Sequence, residues 1–505
     1  MIATLLVPAL SFADSLPLSL KEAVFGTLNS NISIAVEGFN TKIKKEAVKD
    51  SESEFDPTIG MELTSQEQTI QSAVAGTSTD KGRNQDTAWN LSLSQKLVTG
   101  AEYSLEFNNG INKTNSPNSG LNPSYDAELQ LDFTQPLLKN FGIDTNKRNI
   151  YIANNDVNIS EFGFRDKVIS VISDVENIYW DLVFSIEDLR VKQTSLGRAK
   201  DLERRVKAQV DVGTLAPLEI LQAKSEVASR EQLLVSAEDL ITDNEDKLKN
   251  TLNLTFLGIE GDKKITPVDA PVFFEKLDLN VDEAIKESLL SRPDYLAKRK
   301  ELENKRILVQ YNENQIYPSL DLVASLGLNG LAGDAKPITR FSGGTVTSQF
   351  DGGYGESLSN MFSSEYFLWK FGVQLSYPLG NKSAESQLTS ARLESAQLLM
   401  DLKDLERQIT VEVREAARQV KTDIKRVEAA RVARKLAEEK LDAEEQKFAV
   451  GLSTSFNVLE FQEDLAEEQS NEIKSLTDLN KSRINLRKAM ATTLDEYGIK
   501  LSETE

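Results

Sequence analysis

The chain has 505 residues, with 58 basic against 79 acidic side chains and a net charge of −21. That balance argues against a nucleic-acid partner. Cys and His are both absent, which removes disulfides, thiol chemistry, His general bases and His metal ligands together.

Residues 1–13 are apolar and end in the small-x-small pattern Ser11-Phe12-Ala13. They read as a secretory signal cleaved before Asp14, with a start truncated of its basic region. Beyond Ala13 no apolar run approaches the ~20 residues that a spanning helix needs. If the protein crosses a membrane, it must do so with strands.

After a first helix beginning near Leu18, alternation with period two sets in over about 57–136. Ile59, Met61 and Leu63 form one run, and Trp89, Leu91 and Leu93 another. Tyr103, Leu105 and Phe107 follow, then Ala127, Leu129, Leu131 and Phe133. The residues between them are mostly small or polar, so one face is apolar and the other wet. A lipid-exposed barrel strand has this pattern, and so does a soluble antiparallel sheet. Trp89, Phe133 and Tyr377 sit near segment ends, as an interface girdle requires. Val98-Thr99-Gly100 is a tight turn, whereas 71–86, 109–123 and 330–365 are polar and read as long loops.

A helical hairpin is expected over about 143–254, with its tip at Gly213. Val168, Ile172, Val175, Tyr179, Leu182, Ile186 and Leu189 advance 21 residues in six steps, an amphipathic stripe. Residues 255–278 read as a linker. A second cycle follows over 279–494: a helix, strands over about 316–379, and a hairpin over about 381–494 turning at Gly451. Its strands are marked by Leu320 to Leu328 and by Phe367 to Tyr377. Its stripe, Leu398, Leu402, Leu405, Ile409, Val413, Ala416, Val420, Ile424 and Val427, advances 29 residues in eight steps. From Asn381 to Val450 a continuous helix would reach ~105 Å. Residues 495–505 read as a tail.

The two cycles are a tandem duplication. Leu18, Leu20, Glu22, Ala23 and Ser30 recur 261 residues later as Leu279, Val281, Glu283, Ala284 and Ser291. Phe133 to Leu137 recurs as Leu375 to Leu379 at an offset of 242, and Val212-Gly213 as Val450-Gly451 at 238. A repeat of this size sets the architecture. The first copy carries four alternating segments and the second two. The Trp89–Phe107 pair is then either two more sheet strands or a decoration of the rim. Six strands cannot close a barrel alone, so closure demands several copies sharing one barrel.

With the repeat, the strand pairs and the Val-Gly helical turns in view, the chain resembles the TolC-like outer-membrane efflux protein family from Leu18 to about Leu494. The specific elements are the tips at 209–222 and 448–460 together. The resemblance implies an α+β membrane protein with an internal duplication. Long antiparallel helical hairpins build a periplasmic tunnel, and transmembrane strands contribute to the shared β-barrel of a homotrimer in the outer membrane. It implies a passive exit duct of a tripartite efflux or type I secretion system. The hairpin tips, Val212, Gly213, Thr214 and Leu215 with Val450, Gly451 and Leu452, would dock a periplasmic adaptor protein coupled to an inner-membrane pump.

The family's acidic ring lies six and nine residues past the second glycine, here Asn457 and Glu460. Glu219 and Gln222 hold those positions in the first tip. The Tyr and Arg that close some members correspond to Phe448 and Ser453, which neither donate nor pair in the same way. No cofactor, metal or catalytic residue is expected, and the chain does not read as an enzyme. The competing reading is a soluble or peripheral coiled-coil structural protein.

Overall fold

In the computed structural model, residues 15–71, 81–116, 118–253, 263–339 and 343–501 are described. The expected signal segment, 1–13, lies outside them. Strand β1 (Ser15–Leu18) leads into α1 (Leu20–Ser30). Ser19 and Glu22 close a capping box at this start: the Glu22 N–H donates to Ser19 Oγ at 3.2 Å, and the Ser19 N–H to Glu22 Oε2 at 2.9 Å. After α2 (Ile32–Glu52) come four strands, β2 (Thr58–Gln71), β3 (Lys81–Lys96), β4 (Glu102–Thr114) and β5 (Leu121–Pro136). The one-turn α3 (Ile143–Asn146) precedes the long helices α4 (Arg148–Asp211) and α5 (Leu218–Leu252).

The second half opens with β6 (Lys264–Pro267), α6 (Val281–Ser291) and α7 (Pro293–Gln315). Its long strands are β7 (Ser319–Ala335) and β10 (Phe367–Ser376). Between them lie the two-residue strands β8 (Ile338–Thr339) and β9 (Thr345–Val346), paired with each other, and α8 (Tyr354–Phe362). The chain then runs through α9 (Lys382–Ala449), α10 (Ser455–Ala489) and α11 (Thr493–Glu496). No helix among the described residues is long and apolar enough to cross a membrane.

The chain divides into two compact units. The first comprises Met1–Lys42, Asn158–Lys300 and Met400–Glu505 and is mainly helical. Its core uses the stripes read from the sequence. Val168, Ile172, Val175, Tyr179 and Leu182 of α4 are fully buried, as are Ile409, Val413, Val420 and Val427 of α9.

The duplication is written into its hydrogen bonds. Ser30 Oγ donates to the Leu252 carbonyl at 2.5 Å, and its counterpart Ser291 Oγ donates to the Met490 carbonyl at 3.2 Å. Asn31 Nδ2 donates to the Thr251 carbonyl at 3.0 Å, and Arg292 Nη1 to the Ala489 carbonyl at 3.2 Å. In both copies the residue leaving the short helix caps the end of the returning long helix, where carbonyls lack helical partners.

Two segments are more ordered than their sequences suggest. Four residues of the expected linker form β6, which pairs in parallel with β1; four residues are too few to display alternation. The expected tail folds back, with Tyr497, Ile499 and Leu501 packed against the cluster of Val168 and Ile172.

The second unit, Ile43–Val157 and Glu301–Leu399, holds the main sheet. Its six strands run in the order β10-β7-β5-β4-β3-β2, all antiparallel. The Trp89–Phe107 pair is therefore part of one continuous sheet and not a rim decoration. Register aligns the apolar positions into rows across it. Ile59, Leu93, Leu105, Leu131, Leu326 and Trp369 form one, and Met61, Leu91, Phe107, Leu129, Leu328 and Phe367 the next.

The strands outrun the sequence expectation. β3 begins at Lys81, inside the stretch read as a loop over 71–86, and β4 continues to Thr114, inside 109–123. There, Ile111 aside, the side chains are small or polar on both faces, as in the Arg83–Glu67 pair at 3.1 Å. Ladder hydrogen bonds persist where the period-two signal is lost.

Candidate functional site

The hairpin tips lie in the helical unit and begin as local backbone chemistry. At the end of α4 the Gly213 N–H donates to the Val210 carbonyl at 2.9 Å, and the Thr214 N–H to the Gln209 carbonyl at 2.9 Å. At the end of α9 the Gly451 N–H donates to Phe448 at 3.1 Å, and the Leu452 N–H to Lys447 at 2.8 Å. These are Schellman ends, in which the residue after the cap must take a left-handed conformation. Gly213 and Gly451 adopt φ of +80° and +77°. No atom lies within 4 Å of a Cβ added at either, so backbone torsion and not space calls for glycine.

The return strokes differ. α5 starts behind Pro217, which has helical torsions and no side-chain cap. α10 starts behind Thr454, whose Oγ1 accepts from the Asn457 N–H at 3.4 Å.

The residues singled out for a constriction fall into four groups. Glu219 accepts from the Ser455 hydroxyl and so ties the first hairpin to the second. Asn457 Nδ2 donates to Ser453 Oγ at 3.3 Å, and Ser453 donates onward to Glu444, which also receives Lys447 Nζ at 2.9 Å. The Ser453 hydroxyl, and then Lys447, hold the Glu444 carboxylate below the ordinary range. Gln222 and Glu460 are exposed on α5 and α10. Phe448 is buried in the core cluster with Val206, Leu441 and Val458.

Of the expected docking residues, Val212 is 75% exposed, Val450 70% and Leu452 79%. Gly213, Thr214 and Gly451 are exposed too, while Leu215 packs onto the cluster holding Phe448. Leu218, Leu221 and Phe456 add exposed apolar surface beside them.

Sequence reasoning missed Arg230, the joint behind the tips. It is 4% exposed and donates from Nε to Glu226 at 2.8 Å, from Nη1 to the Ser195 carbonyl at 3.0 Å and to Gln462 Oε1 at 3.3 Å, and from Nη2 to the Leu459 carbonyl at 2.9 Å. One side chain thus holds α4, α5 and α10 together. The available signal was its place on the buried stripe Ala223, Val227, Arg230, Ala237, where a cation is retained only if bonded.

A sequence profile described as Outer membrane efflux protein matches residues 104–254 and 284–492. Several solved structures are similar in fold. The CmeC outer membrane channel of Campylobacter jejuni aligns at 15% identity over 96% of this chain and 87% of that one, with a TM-score of 0.65. The outer membrane protein VceC of Vibrio cholerae aligns at 16% over 94% and 96%, with a TM-score of 0.63. The MtrE outer membrane channel of Neisseria gonorrhoeae, in its open state, aligns at 14% over 94% and 88%, with a TM-score of 0.61. No curated protein sequence matches the chain.

Proposed function

Since the chain belongs to the outer membrane efflux protein family, we propose that three copies form one passive duct, sharing a β-barrel in the outer membrane and a helical tunnel in the periplasm. Family membership makes it an outer-membrane channel of the efflux type and sets aside the soluble coiled-coil reading.

The observation that carries the trimer is the six-stranded sheet with two unpaired edges, β2 and β10. Ile59, Met61 and Leu63 on one edge, and Phe367, Trp369, Phe371, Val373 and Leu375 on the other, are each at least 60% exposed on the apolar face. In lipid an open edge leaves backbone groups unsatisfied. Bacterial barrels of this kind have no fewer than about eight strands, so a six-stranded sheet closes by joining copies. Three copies of six strands give eighteen. Because six is even, β2 of one copy meets β10 of the next antiparallel.

The tips dock a periplasmic adaptor coupled to an inner-membrane pump, through Val212, Gly213, Thr214, Leu215, Val450, Gly451 and Leu452. The constriction forms around Glu219, Gln222, Ser453, Asn457 and Glu460, with Phe448 buried behind them. Glu460, repeated three times about one axis, favours cations in a narrow pore. The cargo is that of an efflux or type I secretion pathway.

Light scattering of the detergent-solubilised chain should give a trimer. A single Cys on β2 and another on β10 should cross-link copies without background, since the chain has no Cys. A monodisperse monomer would overturn the shared barrel.

A further inference from the structure

The polar face of the sheet carries a recess that the channel reading does not use. On β5, Asp126 and Glu128 stand opposite Leu331 and Asn329 of β7. Beyond the end of β10, the Asn329 N–H donates to the Tyr366 carbonyl at 2.9 Å, and the Gly333 N–H to the Phe350 carbonyl at 3.0 Å. These bonds bring two aromatic residues of the β7–β10 connection to the strand edge. Their rings meet edge to face, 5.7 Å apart at 73°. Asp126, Glu128, Asn329, Leu331, Phe350 and Tyr366 line a cavity of about 450 Å³.

We propose that this recess binds amphiphilic organic cations, an ammonium group carried on an aromatic or alkyl body. The volume falls in the range of small-molecule sites, about 300–1,000 Å³. The two carboxylates favour a positive charge, and among the described residues none that lines the recess is basic. The aromatic pair and Leu331 give the apolar body a surface, and the ring faces attract the same cation. A bare metal ion would find only two carboxylates here, and among the described residues no group of three or more acidic side chains is placed to hold one. An anion would face two like charges.

The inference rests on the reading that this face of the sheet lines the channel, but binding can be measured on its own. The purified full-length chain in detergent is titrated with benzyltrimethylammonium and, separately, with benzenesulfonate, a similar-sized anion. Binding is followed by saturation-transfer NMR. The cation should bind at least about tenfold more tightly, as two partly exposed ion contacts and a ring contact together provide. Asp126→Asn with Glu128→Gln should erase most of that preference. Tyr366→Leu should weaken the cation about threefold and leave the anion unchanged. Unheated gel mobility shows that each variant is assembled as the parent is. Equal affinities for the two ions, or an assembled double variant that keeps the parent's cation affinity, would overturn the proposal. A monomeric protein that still binds the cation selectively would instead fault the shared barrel and leave the site standing.

Discussion

The two hairpin tips leave their helices alike and return differently. Both exits are Schellman ends on a glycine near φ +80°. The first return passes through Pro217 without a side-chain cap, and the second through Thr454, which caps α10 and is flanked by the hydroxyls of Ser453 and Ser455 with the Asn457 amide beyond. The side-chain ties are unequal as a result. Ser455 reaches across to Glu219, and Ser453 reaches back to the Glu444 carboxylate, while the first tip supplies Glu219 as an acceptor and Thr214 Oγ1, which donates only to the Gln209 carbonyl of its own helix at 2.8 Å. After duplication, backbone torsion held the glycines in place, because any other residue there costs about 1–2 kcal/mol. Side chains at the tips were free to diverge, and the second tip became the one that grips.

The largest test removes the joint on which both tips rest. Arg230→Met strips four donors from a site that is 4% exposed and leaves the Gln462, Ser195 and Leu459 acceptors without their donor. Breaking a buried charged contact of this kind should cost about 3 kcal/mol of local stability. Amide exchange in 455–466 should quicken by about two orders of magnitude, while 168–182 holds. Unchanged exchange near the tips would mean that apolar packing alone unites the hairpins.

Arg230 also shows where the sequence stops being legible. Long helices are readable because an apolar stripe sustained over many turns rarely arises by chance, and most of the stripe residues of α4 and α9 are buried, together with others that the stripe does not pick out. Strands are readable only where one face is apolar. The same strands become invisible over 81–86, where both faces are polar, although the ladder runs on. Helix α8 hid in a polar connection because its contact surface is small, chiefly Ser357 and Met361 against Gly330. At the tips the glycines are legible as turns. Which carboxylate is tied and which stands free is not, because Glu219 meets Ser455 across 236 residues of sequence.

An intermediate effect tests whether the two exits are alike. Gly213→Ala and Gly451→Ala each force an L-residue to φ of +80° or +77°, with nothing near the new methyl group. Each should cost about 1 kcal/mol, seen as similar acceleration of exchange at its own tip. A substantially larger loss at Gly451 would show that the second exit depends on more than torsion, and the comparison would fail at its strongest point.

The smallest effect separates the returns, and its sign follows from Glu444. Ser453 and Lys447 hold that carboxylate below its ordinary range, so the folded tip binds its proton less readily than the unfolded chain does. Stability from this contact is complete above the ordinary Glu value of about 4.3. It is lost as pH falls through the lowered folded value. Exchange around Ser453 should therefore quicken on acidification from about pH 5 downward, while the first tip at Val212–Leu215 responds less. Ser453→Ala should flatten the response, because it removes the largest cause of the shift. If both tips soften together, or the Ala variant keeps the full pH response, the grip of the second tip does not run through Glu444. The asymmetry would then lie in Ser455 and Glu219 alone.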